Sequence, residues 1–281
     1  MSSPQRPLQR IVIALDASRP ADYLLEVAQY VPAGEAAELV GLFIEDARLL
    51  QYAQSRLARE IVLSGGVRPL ERGALERQLR AQSAQVRRHF EAAAAKLGLR
   101  HVFQIARGEI VKEWIRSAAE AEALIVSLAV REGIPAESRR EIVAQLAHAG
   151  LRAVLFARPG WSTGRNVVAV IETPGQLHAV LAAAIHIAAR SRSPLGVILT
   201  GEALDEREHV AADIAATVSE HGIELPASAV LTRADTHHIV QTAEVANARL
   251  LVLAGGATAP TDLLGALLGA TQGALLLVRT D

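Results

Sequence analysis

Short apolar runs without internal alternation recur along the whole chain, at residues 11–15, 39–44, 101–106, 123–129 and 152–157, then at 167–171, 195–200, 227–232, 249–254 and 274–278. Strands that are apolar on both faces belong in a parallel sheet covered by helices on both sides. Stretches of helical length and period lie between them, for example Leu24, Val27, Ala28, Val31 and Leu177, Val180, Leu181, Ala184. Strand and helix alternate throughout, which predicts right-handed βαβ units and an α/β, doubly wound fold.

The pattern is written twice. An offset of 156 pairs Val12 with Val168, Asp16 with Glu172, Leu39 with Leu195 and Phe43 with Leu199 without a gap. At the fourth strand the offset is 126 (Leu124 with Leu250, Val126 with Val252), and at the fifth it is 121 (Ala153 with Ala274, Arg158 with Arg279). Two tandem five-stranded domains follow, 1–159 and 165–281, joined by the turn-rich Pro-Gly-Trp-Ser-Thr-Gly-Arg. The first carries a helical insertion at about 47–98. A helix is expected there near 49–62, then a turn at Ser64-Gly65-Gly66 and a long helix over 71–97. The long helix places Leu75, Leu79, Val86, Phe90, Ala93 and Leu97 close to a seven-residue repeat. Two placements fit: an antiparallel helical hairpin that projects as a contact surface, or a sheet-covering helix with Arg77, Arg80, Arg87 and Arg88 as its solvated face.

Composition narrows the class. The chain has 281 residues, 51% hydrophobic and 21% charged, the balance of a folded protein. It has no cysteine, which removes disulfides, thiolate nucleophiles and cysteine-containing zinc sites. The apolar run before Asp16 is too short for a signal peptide, and the longest apolar helical stretch, 177–189, falls short of a membrane span. A cytoplasmic protein that meets no membrane is the expectation. A net charge of −1 argues against nucleic acid as a partner. That mean conceals an asymmetry: residues 1–160 hold 22 basic and 18 acidic side chains, and 161–281 hold 7 and 12. Residues 47–98 alone hold 10 basic and 4 acidic, so the basic excess belongs to the insertion.

In a doubly wound sheet ligands bind beyond the carboxyl ends of the strands, where strand order reverses. After the first strand of each half stand Asp16-Ala17-Ser18 and Glu172-Thr173-Pro174. A carboxylate there can accept from a base or ribose, or simply from local backbone N–H groups, and a following helix N-terminus favours an anion. Thr173-Pro174 reads as an N-cap with an N1 proline, and Ser18 as the cap of a helix containing Pro20. Gly108 opens a helix whose apolar face is Val111, Trp114, Ile115 and Ala118, with Trp114 as a core anchor. The chain has no G-x4-G-K-[ST], G-x-G-x-x-G, G-x-S-x-G or H-E-x-x-H. Neither His237-His238 nor His178 with His186 makes a convincing metal pair, so neither a catalytic group nor a metal site is assigned.

IVIALDAS at 11–18, ELVGLFIED at 38–46 and RGEIVKEWIRSAAEAEALIVSLA at 107–129 resemble the universal stress protein family, here as a tandem pair. The resemblance implies strand order 3-2-1-4-5 in each domain and intramolecular pairing of the two domains across their last strands. Nucleotide-binding members carry G-x2-G-x9-G-[ST] after the fourth strand, with backbone N–H groups on the phosphates. Here the first half reads VREGIPAESRREIVAQ, with Gly133 alone, where the cradle needs bare backbone. The second half reads GGATAPTDLLGALLGAT: Gly256 and Gly269 keep the outer spacing, but Ala259 replaces the middle glycine and Ala270 the hydroxyl residue. Candidate ligand-binding residues are therefore Asp16, Ala17, Ser18 and Gly133 in the first half, and Glu172, Gly255, Gly256, Gly269 and Thr271 in the second. The leading reading is a non-enzymatic regulatory or binding scaffold with degenerate nucleotide sites and no required cofactor. Its basic insertion would contact a protein partner or a second copy as a homodimer. The alternative is a sensor that binds AMP or ATP in one remaining pocket.

Overall fold

A computed structural model describes residues 8–17, 22–31, 33–55, 57–61, 66–127, 136–221, 230–232, 236–256, 261–270 and 273–280. The first half contributes strands β1 (Leu8–Leu15), β2 (Ala33–Asp46), β5 (Arg100–Gly108), β6 (Glu122–Ser127) and β7 (Ala153–Ala157). The second contributes β8 (Asn166–Ile171), β9 (Leu195–Leu199), β10 (Val230–Thr232), β11 (Ala248–Gly255) and β12 (Ala274–Arg279). They form one ten-stranded sheet in the order β10-β9-β8-β11-β12-β7-β6-β1-β2-β5, so each half has order 3-2-1-4-5. Neighbours within each half are parallel, and the halves join where β12 meets β7 antiparallel, Leu275 opposite Phe156 and Leu277 opposite Val154.

Period two divides each strand between two cores. Ile11, Ile13 and Leu15 face one side of the sheet and Val12 and Ala14 the other; Val167, Ala169 and Ile171 face the first side and Val168 and Val170 the second. Residues related by the offset of 156 thus serve the same face. The first face is covered by α1 (Asp22–Ala28), α3 (Arg72–Lys96), α6 (Leu177–Ser191) and α8 (Arg207–Glu220). The second is covered by α4 (Ile110–Ala119), α5 (Ala136–Ala147), α9 (Thr236–Val245) and α10 (Thr261–Ala270). Trp114 packs on the second core as an anchor of α4. No described helix is long and apolar enough to cross a membrane.

The halves are also joined through their helices. Gly265 of α10 faces the Arg140 side chain of α5; a Cβ there would lie 3.3 Å from Arg140 Cγ. On the opposite face Arg190 Nε donates to the Gln29 carbonyl at 3.0 Å. The Arg249 guanidinium lies 4.7 Å from the ring centre of Trp161 and 5.3 Å from that of Tyr30, with the two rings edge to face. These three side chains tie the turn after α1, the linker and β11 together.

His186 of α6 has its Nε2 buried, with no hydrogen-bond partner among the described residues. Burial, and then the charge of Arg190, push its pKa below the ordinary value. The unfolded chain therefore binds this proton more readily than the folded one. The stabilisation is complete above about pH 6.5 and is lost as pH falls below it. Unfolding free energy should accordingly drop between about pH 7 and pH 5, and less steeply in His186→Leu. Equal slopes in the two proteins, measured by urea titration, would contradict this.

The insertion departs from expectation. The helix expected near 49–62 is only α2 (Ala47–Tyr52), followed by an antiparallel hairpin of β3 (Arg59–Ile61) and β4 (Val67–Pro69). A six-residue helix is too short to stand alone. It survives because Asp46 accepts from the Arg48 N–H at 2.9 Å and because Leu50 and Ala53 pack on Leu75 and Leu79. The long helix α3 divides its work. Leu75 and Leu79 serve this satellite core, whereas Val86, Phe90 and Ala94 cover the main sheet. The C-terminal part of α3 is thus the anticipated sheet-covering helix, while its N-terminal part packs on a short helix followed by a β-hairpin instead of forming a helical hairpin.

Candidate functional site

The two switch points lie beyond the carboxyl ends of β1 and β6 in the first half, and of β8 and β11 in the second. Among the described residues, several polar groups at these strand ends are bonded within the protein.

In the second half, Thr173 caps a 3-10 turn over Pro174–Gln176 in a full capping box. The Gln176 side chain is buried and its Oε1 accepts from the backbone N–H groups of Glu172 and Thr173, at 3.2 and 3.4 Å. The donors that leave β8 toward the crevice are therefore satisfied internally. The Glu172 carbonyl accepts from Ala203 N at 2.9 Å, which packs α7 (Gly201–Asp205) against the strand end. Gly201 makes this approach with φ +53, and a Cβ there would stand 2.9 Å from the Glu172 carbonyl oxygen.

Gly256, the first glycine of the degenerate phosphate pattern, has φ +111, and its N–H donates to the carbonyl of Ala147 at 3.0 Å. Ala147 ends α5 of the other half. The amide of this glycine is thus engaged in a bond between the halves. It faces a helix C-terminus, whose partial negative charge repels an anion. Gly255 is the last residue of β11, in register with Arg279, and a Cβ there would come within 3.2 Å of Leu277 Cβ. Gly269 lies inside α10 and not in an open loop. Thr271 falls outside the described residues.

In the first half Asp16 is half-buried and Ala17 exposed just past β1. Ser18 and Gly133 fall outside the described residues, as does most of the segment after β6. Across the β1/β6 crevice the Tyr23 hydroxyl of α1 donates to Ser127 Oγ at the end of β6. This bridge joins the start of α1 to the carboxyl end of β6.

Among the described residues no group of three or more His, Asp or Glu side chains could hold a metal. His237 and His238 stand edge to face on α9, and His237 pairs with Gln241 at 2.9 Å. A concavity does exist elsewhere, at the junction of α7 and α8, lined by residues 204–209. Sequence reasoning passed over Gln176, although Thr-Pro-Gly-Gln carries the capping-box spacing, and it passed over Tyr23 and Ser127, for which the sequence holds no signal.

The order 3-2-1-4-5, twice over in one sheet, defines a doubled Rossmann-like α/β protein. Solved structures make the class narrower. A universal stress protein from Archaeoglobus fulgidus DSM 4304 matches with a TM-score of 0.67 at 12% identity, over 97% of this chain and 97% of that one. A functionally unknown protein from Pseudomonas aeruginosa PAO1 matches at 0.56 and 16% identity, over 97% and 92%. The cytoplasmic domain of a prokaryotic cation chloride cotransporter matches at 0.56 and 13% identity, over 97% and 96%. The chain has the universal stress protein fold over 97% of its length. No protein-family model and no curated protein matches the sequence.

Proposed function

We propose that this chain is a tandem universal stress protein that acts as a non-enzymatic binding scaffold, its nucleotide crevices given over to internal bonds. The observation that carries the reading is the Gly256 N–H bonded to the Ala147 carbonyl, since a phosphate cradle requires that amide to be open. Gln176 on the amides of Glu172 and Thr173 supports it in the second half, and the Tyr23–Ser127 bridge supports it in the first. A cotransporter whose cytoplasmic domain shares the fold illustrates that the fold by itself dictates no single activity.

The scaffold's work then falls to its surface, above all to the insertion, which carries ten basic and four acidic residues. Cytoplasmic residence is part of the same proposal. The sensor reading draws on Asp16, half-buried at the end of β1, as the acceptor for a base or ribose. Native mass spectrometry of freshly purified protein separates the two. The expected result is the bare chain mass, and a co-purifying AMP or ATP would favour the sensor.

A further inference from the structure

We propose that the insertion is the docking element for a second copy of this chain, seated in that copy's concavity between α7 and α8; the proposal rests on the scaffold reading above. The β3–β4 hairpin has three residues per strand, with Ile61 opposite Val67 and Arg59 opposite Pro69. A two-stranded ribbon of this length has little stability of its own in water. One edge of it is secured: the Leu70 N–H donates to the Ala58 carbonyl at 3.0 Å, with Ala58 buried and Leu70 packed on the satellite core of Leu50, Ala53, Leu75 and Leu79.

Ile61 is 81% exposed, Val67 66% and the nearby Leu57 82%. By strand alternation Arg59, whose Nη1 also donates to the Ala58 carbonyl at 3.0 Å, shares a face with Ile61, so a cation borders the apolar patch. An exposed apolar face beside basic residues has the polarity and charge of an interface element.

Charge selects the occupant. Residues 161–281 hold 7 basic and 12 acidic side chains, and within 201–209 four carboxylates (Glu202, Asp205, Glu206, Glu208) stand against one arginine. That segment bounds the concavity, and Leu204, itself packed on the core, gives it an apolar wall. The two surfaces are therefore complementary in polarity and in sign. They cannot meet within one chain. The insertion follows β2 and the concavity follows β9, seven inter-strand steps apart in the sheet, roughly 30–35 Å. Only a second copy can bring them together, through a heterologous contact.

The test is sedimentation velocity on the full chain. The wild type should self-associate at high micromolar concentration, less so in high salt. Arg59→Glu, and separately Glu206→Arg with Glu208→Arg, should each weaken association about tenfold or more. An equimolar mixture of the two variants should associate again, because each then offers a face of the sign the other lacks. Ile61→Asp, with an unchanged circular dichroism spectrum and melting curve, should also dissociate the assembly without touching those charges. A wild type that stays monomeric, variants that associate like the wild type, or a mixture that remains dissociated would each overturn the proposal. None of these results bears on nucleotide occupancy, so this inference can fail while the reading of the crevices stands.

Discussion

Replacing Phe156 by alanine should lower the unfolding free energy by about 3–5 kcal/mol, the cost of emptying a large, fully packed site. Phe156 is completely buried in β7 and stands opposite Leu275 of β12, in the strand pair that joins the halves. Its side chain belongs to the core face covered by α5 and α10, the two helices that meet across the same seam. Because β7 and β12 lie in one continuous sheet, the loss should appear as a single transition shifted to lower urea. Fluorescence of Trp114 in the first half and of Trp161 in the linker would follow it together. A shift worth under about 1 kcal/mol, or two separated transitions, would mean that the seam is not packed as described.

Phe90→Ala should cost a similar amount, about 3–5 kcal/mol, and its partner in the test is a glycine. Phe90 is fully buried where α3 crosses the sheet, edge to face with His101 and beside Phe103. Gly41 of β2 leaves room for its ring: a Cβ there would lie 2.7 Å from Phe90 Cε1. Gly41→Ala alone should therefore destabilise by overpacking. With Phe90 already reduced to alanine, the same methyl enters the vacated space, and the double variant should be less destabilised than the two single effects added, by about 1 kcal/mol. Simple additivity in a urea double-mutant cycle would contradict the contact. Leu79→Ala, by contrast, should loosen the satellite core of α2 and α3 and leave the main sheet intact.

Much of this was legible in the sequence, for definite reasons. Strands covered on both faces have to be apolar at successive positions, so β1, β6, β7 and their counterparts announced themselves, and the offset of 156 reappears as shared faces in the two cores. The insertion was harder. Leu49, Leu50, Tyr52 and Ala53 have the composition of a helix, and the chain does begin one, but only Leu50 and Ala53 find a core. Beyond them the hairpin lacks a buried face, so it left no alternation to read. Its one cue was Gly65-Gly66 between short apolar positions, a pair that favours hairpin turns.

The site divides in the same way. The Thr173 cap was visible because capping is local, and Gln176 belonged to the same spacing. The bond from Gly256 to Ala147 could not be read, because it joins two halves more than a hundred residues apart and depends on how α5 and β11 meet. Tyr23 and Ser127 meet across the β1/β6 crevice for an equally tertiary reason. The degenerate glycine pattern is legible locally, whereas these contacts, on which the proposed loss of phosphate binding rests, are tertiary.

Isothermal titration of the purified full chain with Mg-ATP tests the central claim most directly. The account predicts heats of dilution alone up to millimolar ligand, because the amides of Glu172, Thr173 and Gly256 already have partners. A saturable isotherm with micromolar affinity would contradict it.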